Sequence, residues 1–227
     1  MTYIQKRWII DKFMEKNKDN TIDKSLKYRL YLWSFYSVSI VMKNIFATKT
    51  FRIGYMQAPT GYIFEPISFI AQDVETETKG YKSAKVMIIL GFVLNLIVAL
   101  AGQLAILLPN ASGPTIQSSF EVILGNMPRL FVASLTAYLV GGTLNSKIMD
   151  NLRKRNDNSL FFRAITSTIV GQFADNIIFT TLAFAGTMPY GQIVSMSLSM
   201  TVLETLYEIV FYPITKFTIT KIKEIEG

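Results

Sequence analysis

Charge in this chain gathers in clusters at residues 1–29, 73–85, 147–163 and 216–226. The apolar runs between them are roughly 20 residues long, the length that crosses a bilayer core as a helix. Half of the residues are hydrophobic and 17% are charged. A soluble core could not use so much apolar surface without a polar face on each helix. The chain therefore reads as an integral, all-α membrane protein.

Six spans are expected, near residues 28–48, 56–76, 84–108, 128–149, 161–184 and 190–214. Eight lysines and arginines fall within residues 1–29. More follow at Lys79, Lys82 and Lys85, at Lys147, Arg153, Lys154, Arg155 and Arg163, and at Lys216, Lys221 and Lys223. On the other side, the first loop has Lys49 and Arg52, while PNASGPTIQSS and GTMPYG have none. Basic residues mark the cytoplasmic side, so both termini are expected there. The parts are a basic segment at 1–27, a six-span domain at 28–215 and a short cytoplasmic tail at 216–227. Tyr3, Ile4, Trp8, Ile9, Ile10 and Phe13 are mixed with the basic residues of the first segment. It reads either as a membrane-surface amphipathic helix or as a solvated tail. With no apolar segment in its first 25 residues, it does not read as a cleavable signal peptide. Residues 118–127 suggest a short interfacial helix on the outside.

The chain has no cysteine and no histidine. That excludes disulfides, thiolate catalysis and cysteine-ligated metal, and removes the usual general base and proton relay. No metal or other cofactor is expected. The net charge of +7 is a topology signal, and no soluble basic domain is present to bind nucleic acid.

The informative residues are the polar ones inside the apolar runs. A carboxylate at bilayer depth is costly and is usually kept for function. Thr168, Gln172, Asp175 and Phe179 follow at spacings of 4, 3 and 4 and share one helix face, with Asn176 beside them. Ser197, Thr201, Glu204 and Glu208 repeat that spacing in the last run. A structural hydrogen bond between helices is the plainer alternative for both stripes. The second run holds Gly61, Glu65, Pro66, Gln72 and Asp73, a combination that argues against an unbroken spanning helix. Irregular backbone at that depth is tolerated where it lines a cavity. Each half of the chain has a polar middle helix, IAQDV in one and VGQFADN in the other. Three spans per half would make the halves a 3+3 inverted repeat.

The order of these residues is similar to a known family. Asn44-Ile45 with Lys49 comes first, then Pro66-Ile67-Ser68-Phe69 followed by Asp73, Glu77 and Gly80. Ala84-Lys85, Gly91-Phe92 with Asn95, and Arg129 with Ser134 come next. Arg163, Ser167-Thr168, Gly171-Gln172, Asp175 and Phe179 form the fifth-span signature, and Pro213 closes the sixth. Over about residues 36–215 the chain resembles the queuosine precursor transporter family, which is grouped with vitamin uptake transporters. It departs at Gln72, where relatives commonly have threonine, at Asn176, where they often have serine, and at Glu65.

The resemblance implies a multi-pass protein of the prokaryotic inner (plasma) membrane that imports 7-deazaguanines for queuosine salvage. The cargo would be queuine or its 7-cyano or 7-aminomethyl precursor. Such a base presents two adjacent N–H donors and one carbonyl, which suit a carboxylate and an amide, and a flat ring for aromatic stacking. Asp175, Gln172, Asn44, Phe69, Phe179, Asn176, Asn95 and Glu204 are the candidate substrate-binding residues. Asp73, Glu77, Lys49, Arg129 and Arg163 are the candidates for gating or coupling. Membrane lipids are the implied surroundings, a homodimer is compatible with the large lipid-facing surface, and an energising ATPase is not expected. Two competing readings are a substrate-binding subunit of an ATPase-driven vitamin transporter and an intramembrane enzyme built on a pair of carboxyls. No catalytic motif supports the enzyme.

Overall fold

The computed structural model describes residues 24–155 and 160–226. The amphipathic segment anticipated at Tyr3–Phe13 lies outside them. The described chain is mostly helical. Helix α1 covers Lys24–Phe46, α2 Glu65–Lys79, α3 Tyr81–Leu107, α4 Pro114–Leu124, α5 Met127–Arg155, α6 Leu160–Phe184 and α7 Tyr190–Glu226. Among the described residues, three stretches are long and apolar enough to cross a membrane: Tyr81–Leu107, Pro114–Leu152 and Tyr190–Ile225.

The burial pattern is that of a protein dissolved in lipid. Leu104, Phe162 and Val210 are more than three-fifths exposed, while Glu65, Glu75, Asn95, Asn176 and Glu204 are almost completely buried. A water-soluble fold reverses this arrangement. In hydrocarbon the apolar side chains face out, and polar groups satisfy one another inside.

The second expected span, at 56–76, is corrected by the structure, and the chain is not purely helical. Thr50–Ile53 (β1) and Met56–Pro59 (β2) form an antiparallel hairpin, with Ile53 opposite Met56. Gly54 has φ 58° and sits first in the two-residue turn, where only glycine is free to take that conformation. A 3₁₀ turn at Thr60–Phe64 leads into α2. Pro66 lies in the first turn of α2, where its missing N–H costs nothing. At 15 residues α2 is roughly 22 Å long, short of a bilayer core of about 30 Å. It is nonetheless the most enclosed element, buried from Glu65 to Glu77 except at Ile67 and Ile70, and packed against α1, α3 and α7.

The remaining helices lie within a few residues of expectation. The short helix expected near 118–127 is α4, Pro114–Leu124, with no buried residue. Helix α7 runs past the expected end of its span, and Ile219 and Ile222 pack on Val74 of α2. Helices α5 and α6 make the closest pair, antiparallel and in near backbone contact. A Cβ on Gly141 would lie 2.6 Å from the Asp175 Cα, and a Cβ on Gly171 would lie 2.8 Å from the Asn145 Cα. Small residues are what allow membrane helices to approach this closely.

Candidate functional site

The irregular segment before α2 leaves a cavity between α1, α2, α5, α6 and α7, in two lobes. The larger, about 80 Å³, is lined by Asn44, Tyr62, Ser134, Phe179 and Glu204, among others. The smaller, about 50 Å³, is lined by Glu65, Ser68, Phe69, Gln72 and Gln172, among others. Lys43, Tyr138 and Asp175 line both. A cavity with this polar and aromatic lining suits a small polar molecule.

Each wall has a local cause. Gly61 brings the 3₁₀ turn onto α1, because a Cβ there would stand 2.9 Å from the Lys43 Cα. Tyr138 lies along its own helix over Gly142 and packs on Phe92, with ring centroids 5.3 Å apart. Asn44 Oδ1 accepts from Ser134 Oγ at 2.9 Å, which leaves the amide N–H groups of Asn44 as donors at the cavity.

Charge inside the cavity is partly matched. Lys43 Nζ contacts both carboxylate oxygens of Glu65, at 2.6 Å from Oε1. This pair was not foreseen as part of the site, although opposite charges in two successive apolar runs were a usable signal. The Asp175 carboxylate has neither a hydrogen bond nor an ion pair within 4 Å among the described residues. Gln172, one turn away on the same helix, also has no hydrogen bond among them. Both side chains open on the smaller lobe. A carboxylate and an amide with unused capacity, enclosed by Phe69, Tyr138 and Phe179, form a site for a flat molecule that donates and accepts in one plane.

Glu204 lines the larger lobe, and Asn176 stands behind it. Tyr62 Oη lies 2.6 Å from Asn176 Oδ1 and 2.7 Å from Glu204 Oε1. Asn176 Nδ2 donates to Glu204 Oε2 at 2.6 Å and to Thr201 Oγ1 at 3.1 Å. Thr180 and Ser197 hydroxyls meet at 2.6 Å beside them. The polar stripe on α7 thus meets Asn176 and Thr180, beside the Gln172 and Asp175 face of α6. Asn95 is fully buried but lines neither lobe.

The remaining candidates divide between the two ends. Beyond the smaller lobe, Asp73 hydrogen-bonds Glu208, which also bonds Thr168. One turn further, buried Glu77 lies 3.5 Å from Arg163 and 3.4 Å from Lys223. These contacts join α2, α6 and α7. At the hairpin end, Arg129 donates to the Leu182 and Ala185 carbonyls at 2.9 and 2.5 Å, capping α6. Lys49 is exposed there, just before β1.

Residues 59–218 match the family model described as "Putative vitamin uptake transporter". The chain is 31% identical over 165 residues to a Bacillus subtilis (strain 168) protein named "Probable queuosine precursor transporter". That match covers 72% of this chain and 71% of the relative. No solved structure matches.

Proposed function

Because the chain belongs to the vitamin uptake transporter family, we propose that it imports queuosine precursors across the plasma membrane. The cargo would be a 7-deazaguanine: queuine, or the 7-cyano or 7-aminomethyl base. The observation that carries this reading is the uncommitted Asp175 carboxylate beside uncommitted Gln172, in a cavity walled by aromatic rings. Two adjacent N–H donors on the pairing edge of the base would engage Asp175. Its carbonyl would accept from Gln172 or Asn44, and its ring would lie against Phe69, Tyr138 or Phe179.

Six spans with both termini in the cytoplasm fit this role. Helix α6, at 25 residues, has the length to cross, and its inward-facing polar residues Thr168, Gln172, Asp175 and Asn176 lower its hydropathy. The hairpin, 3₁₀ turn and α2 would together make the interrupted second crossing, the kind of element that builds substrate sites in transporters. The Glu77–Arg163 end would then be cytoplasmic and the hairpin end external.

The test is to express the protein in a bacterium that neither makes nor imports these precursors but has the enzymes to use them. Each base is supplied separately, and queuosine in tRNA is measured. Modification that depends on the chain, and is lost in Asp175→Ala while the protein stays in the membrane, supports the proposal. No modification with any base, despite correct insertion, overturns it.

A further inference from the structure

Tyr62, Asn176 and Glu204 form a closed triangle in which proton count matters. The Tyr62 hydroxyl touches two oxygens, Asn176 Oδ1 at 2.6 Å and Glu204 Oε1 at 2.7 Å. A phenol has one proton to donate, and an amide oxygen and a carboxylate oxygen both only accept. With Glu204 ionised, one of the two contacts therefore has no proton. With a proton on Glu204 Oε1, the triangle closes in one sense. Glu204 donates to Tyr62, Tyr62 to Asn176, and Asn176 Nδ2 to Glu204 Oε2 at 2.6 Å. Buried polar rings of this kind are stable only when every member is satisfied.

The charges around it point the same way. The groups facing Glu204 are Lys43 from α1, Tyr62 from the 3₁₀ turn, Glu65 from α2 and Asp175 from α6, with Tyr207 on its own helix. Lys43 is the single cation among them, and Glu65 already holds it. Three ionised carboxylates would then share one lysine in a water-poor space, at a cost that burial makes severe.

A route leads away from the ring. Glu208 lies one turn along α7 from Glu204 and hydrogen-bonds Asp73. Two hydrogen-bonded carboxyls hold one proton between them. Glu77 follows one turn along α2, beside Arg163 and Lys223.

We propose that Glu204 is the proton-carrying acid of this protein, so that a proton accompanies each substrate crossing. This rests on the transport reading above. The proton comes from the external solution, resides on Glu204 within the ring, and leaves by way of Glu208 and Asp73 toward Glu77.

The protein is reconstituted in vesicles with a pH-sensitive dye inside, and labelled queuine or 7-cyano-7-deazaguanine is added. For the wild type, entry of the base acidifies the lumen, and an external acid pulse raises the accumulated label several-fold. In Glu204→Gln, whatever counterflow remains proceeds without acidification, and the acid pulse raises nothing. Wild-type uptake without acidification, or a variant that still responds to the pulse, overturns the proposal. If the wild type exchanges no base at all, the transport reading itself fails, and coupling fails with it.

A second measurement needs no transport. Glutamine has a donor and an acceptor in the places of a protonated glutamate. Glu204→Gln therefore keeps the ring and melts close to the wild type, whereas Glu204→Ala melts well below it. Protonated acids give an infrared carbonyl band, and its Glu204 component is present in the wild type and lost in the glutamine variant, which keeps the component of the Asp73–Glu208 pair. A glutamine variant as unstable as the alanine one, or a difference spectrum between the two proteins that shows no lost acid component, sinks the assignment.

Discussion

Gly141 of α5 lies directly against the backbone of Asp175 of α6: a Cβ at 141 would stand 2.5 Å from the Asp175 nitrogen and 2.6 Å from its Cα. The partner contact, Gly171 on Asn145, is offset by one turn on both helices. The two glycines hold α5 and α6 in one antiparallel register, and that register places the Asp175 side chain at the junction of the two lobes. The carboxylate is positioned by helix packing, since no hydrogen bond among the described residues orients it.

Gly141→Ala is therefore expected to push α6 away and misplace Asp175. Overpacking of this kind costs about 1–3 kcal/mol, so the melting temperature falls and base uptake falls with it. Gly191→Ala is the matched control, because nothing lies within 4 Å of a Cβ there. Uptake and melting of both purified variants check this. An unimpaired Gly141→Ala protein would show that the register is not what positions the acid.

Asp175→Asn keeps the shape of the side chain but replaces one acceptor with a donor. Against two adjacent N–H groups, one contact becomes donor to donor. A hydrogen bond to a charged group is worth about 1.5–3 kcal/mol, so affinity for the base is expected to drop by roughly 10- to 150-fold. Gln172→Ala should cost less, because its partner is neutral. Titration calorimetry on purified protein gives both numbers. Equal binding by the wild type and Asp175→Asn would remove Asp175 from the site.

Much of this arrangement was legible in the sequence. The spacing of Gln172, Asp175 and Phe179 put them on one face, and they line one cavity. The stripe Ser197, Thr201, Glu204 was legible for the same reason, since helical periodicity survives folding. The hairpin at 50–59 was not, because its strands are only four residues long and the second of them falls at the start of the apolar run expected as a span. The Lys43–Glu65 pair and the approach of Tyr62 to Asn176 join residues 22 and 114 positions apart. Opposite charges in successive apolar runs hinted at the first pair, but local pattern does not show which distant residues meet. Asn95, expected from its place in a polar series to meet the substrate, is buried and lines neither lobe.

Lys43 and Glu65 neutralise each other in a place that water reaches poorly. Removing one partner of a buried pair typically costs about 3–5 kcal/mol, because the other charge is left uncompensated. Lys43→Met and Glu65→Leu are each expected to destabilise the protein severely. The double variant should recover most of that loss, since two apolar side chains leave no charge behind. Thermal melts of the four proteins in detergent complete the cycle. Additive losses in the double variant would show that the two residues act separately.

Glu77 joins α2 to α6 and α7 through Arg163 and Lys223, and these contacts lie between the smaller lobe and the basic end of the bundle. If they close that end, breaking them exposes the lobe from that side only. The absence of cysteine makes the test direct, because Ser68→Cys places a single thiol at the lobe. In inside-out vesicles, a membrane-impermeant maleimide should label this thiol slowly. Adding Glu77→Gln removes the charge that both cations share. Loss of about 1.4 kcal/mol from the closed state raises the open fraction tenfold, and labelling should accelerate by about that factor. In right-side-out vesicles the rate should stay constant or fall. Acceleration from the hairpin side instead would place the gate at Arg129 and Lys49 and leave Glu77 a purely structural tie.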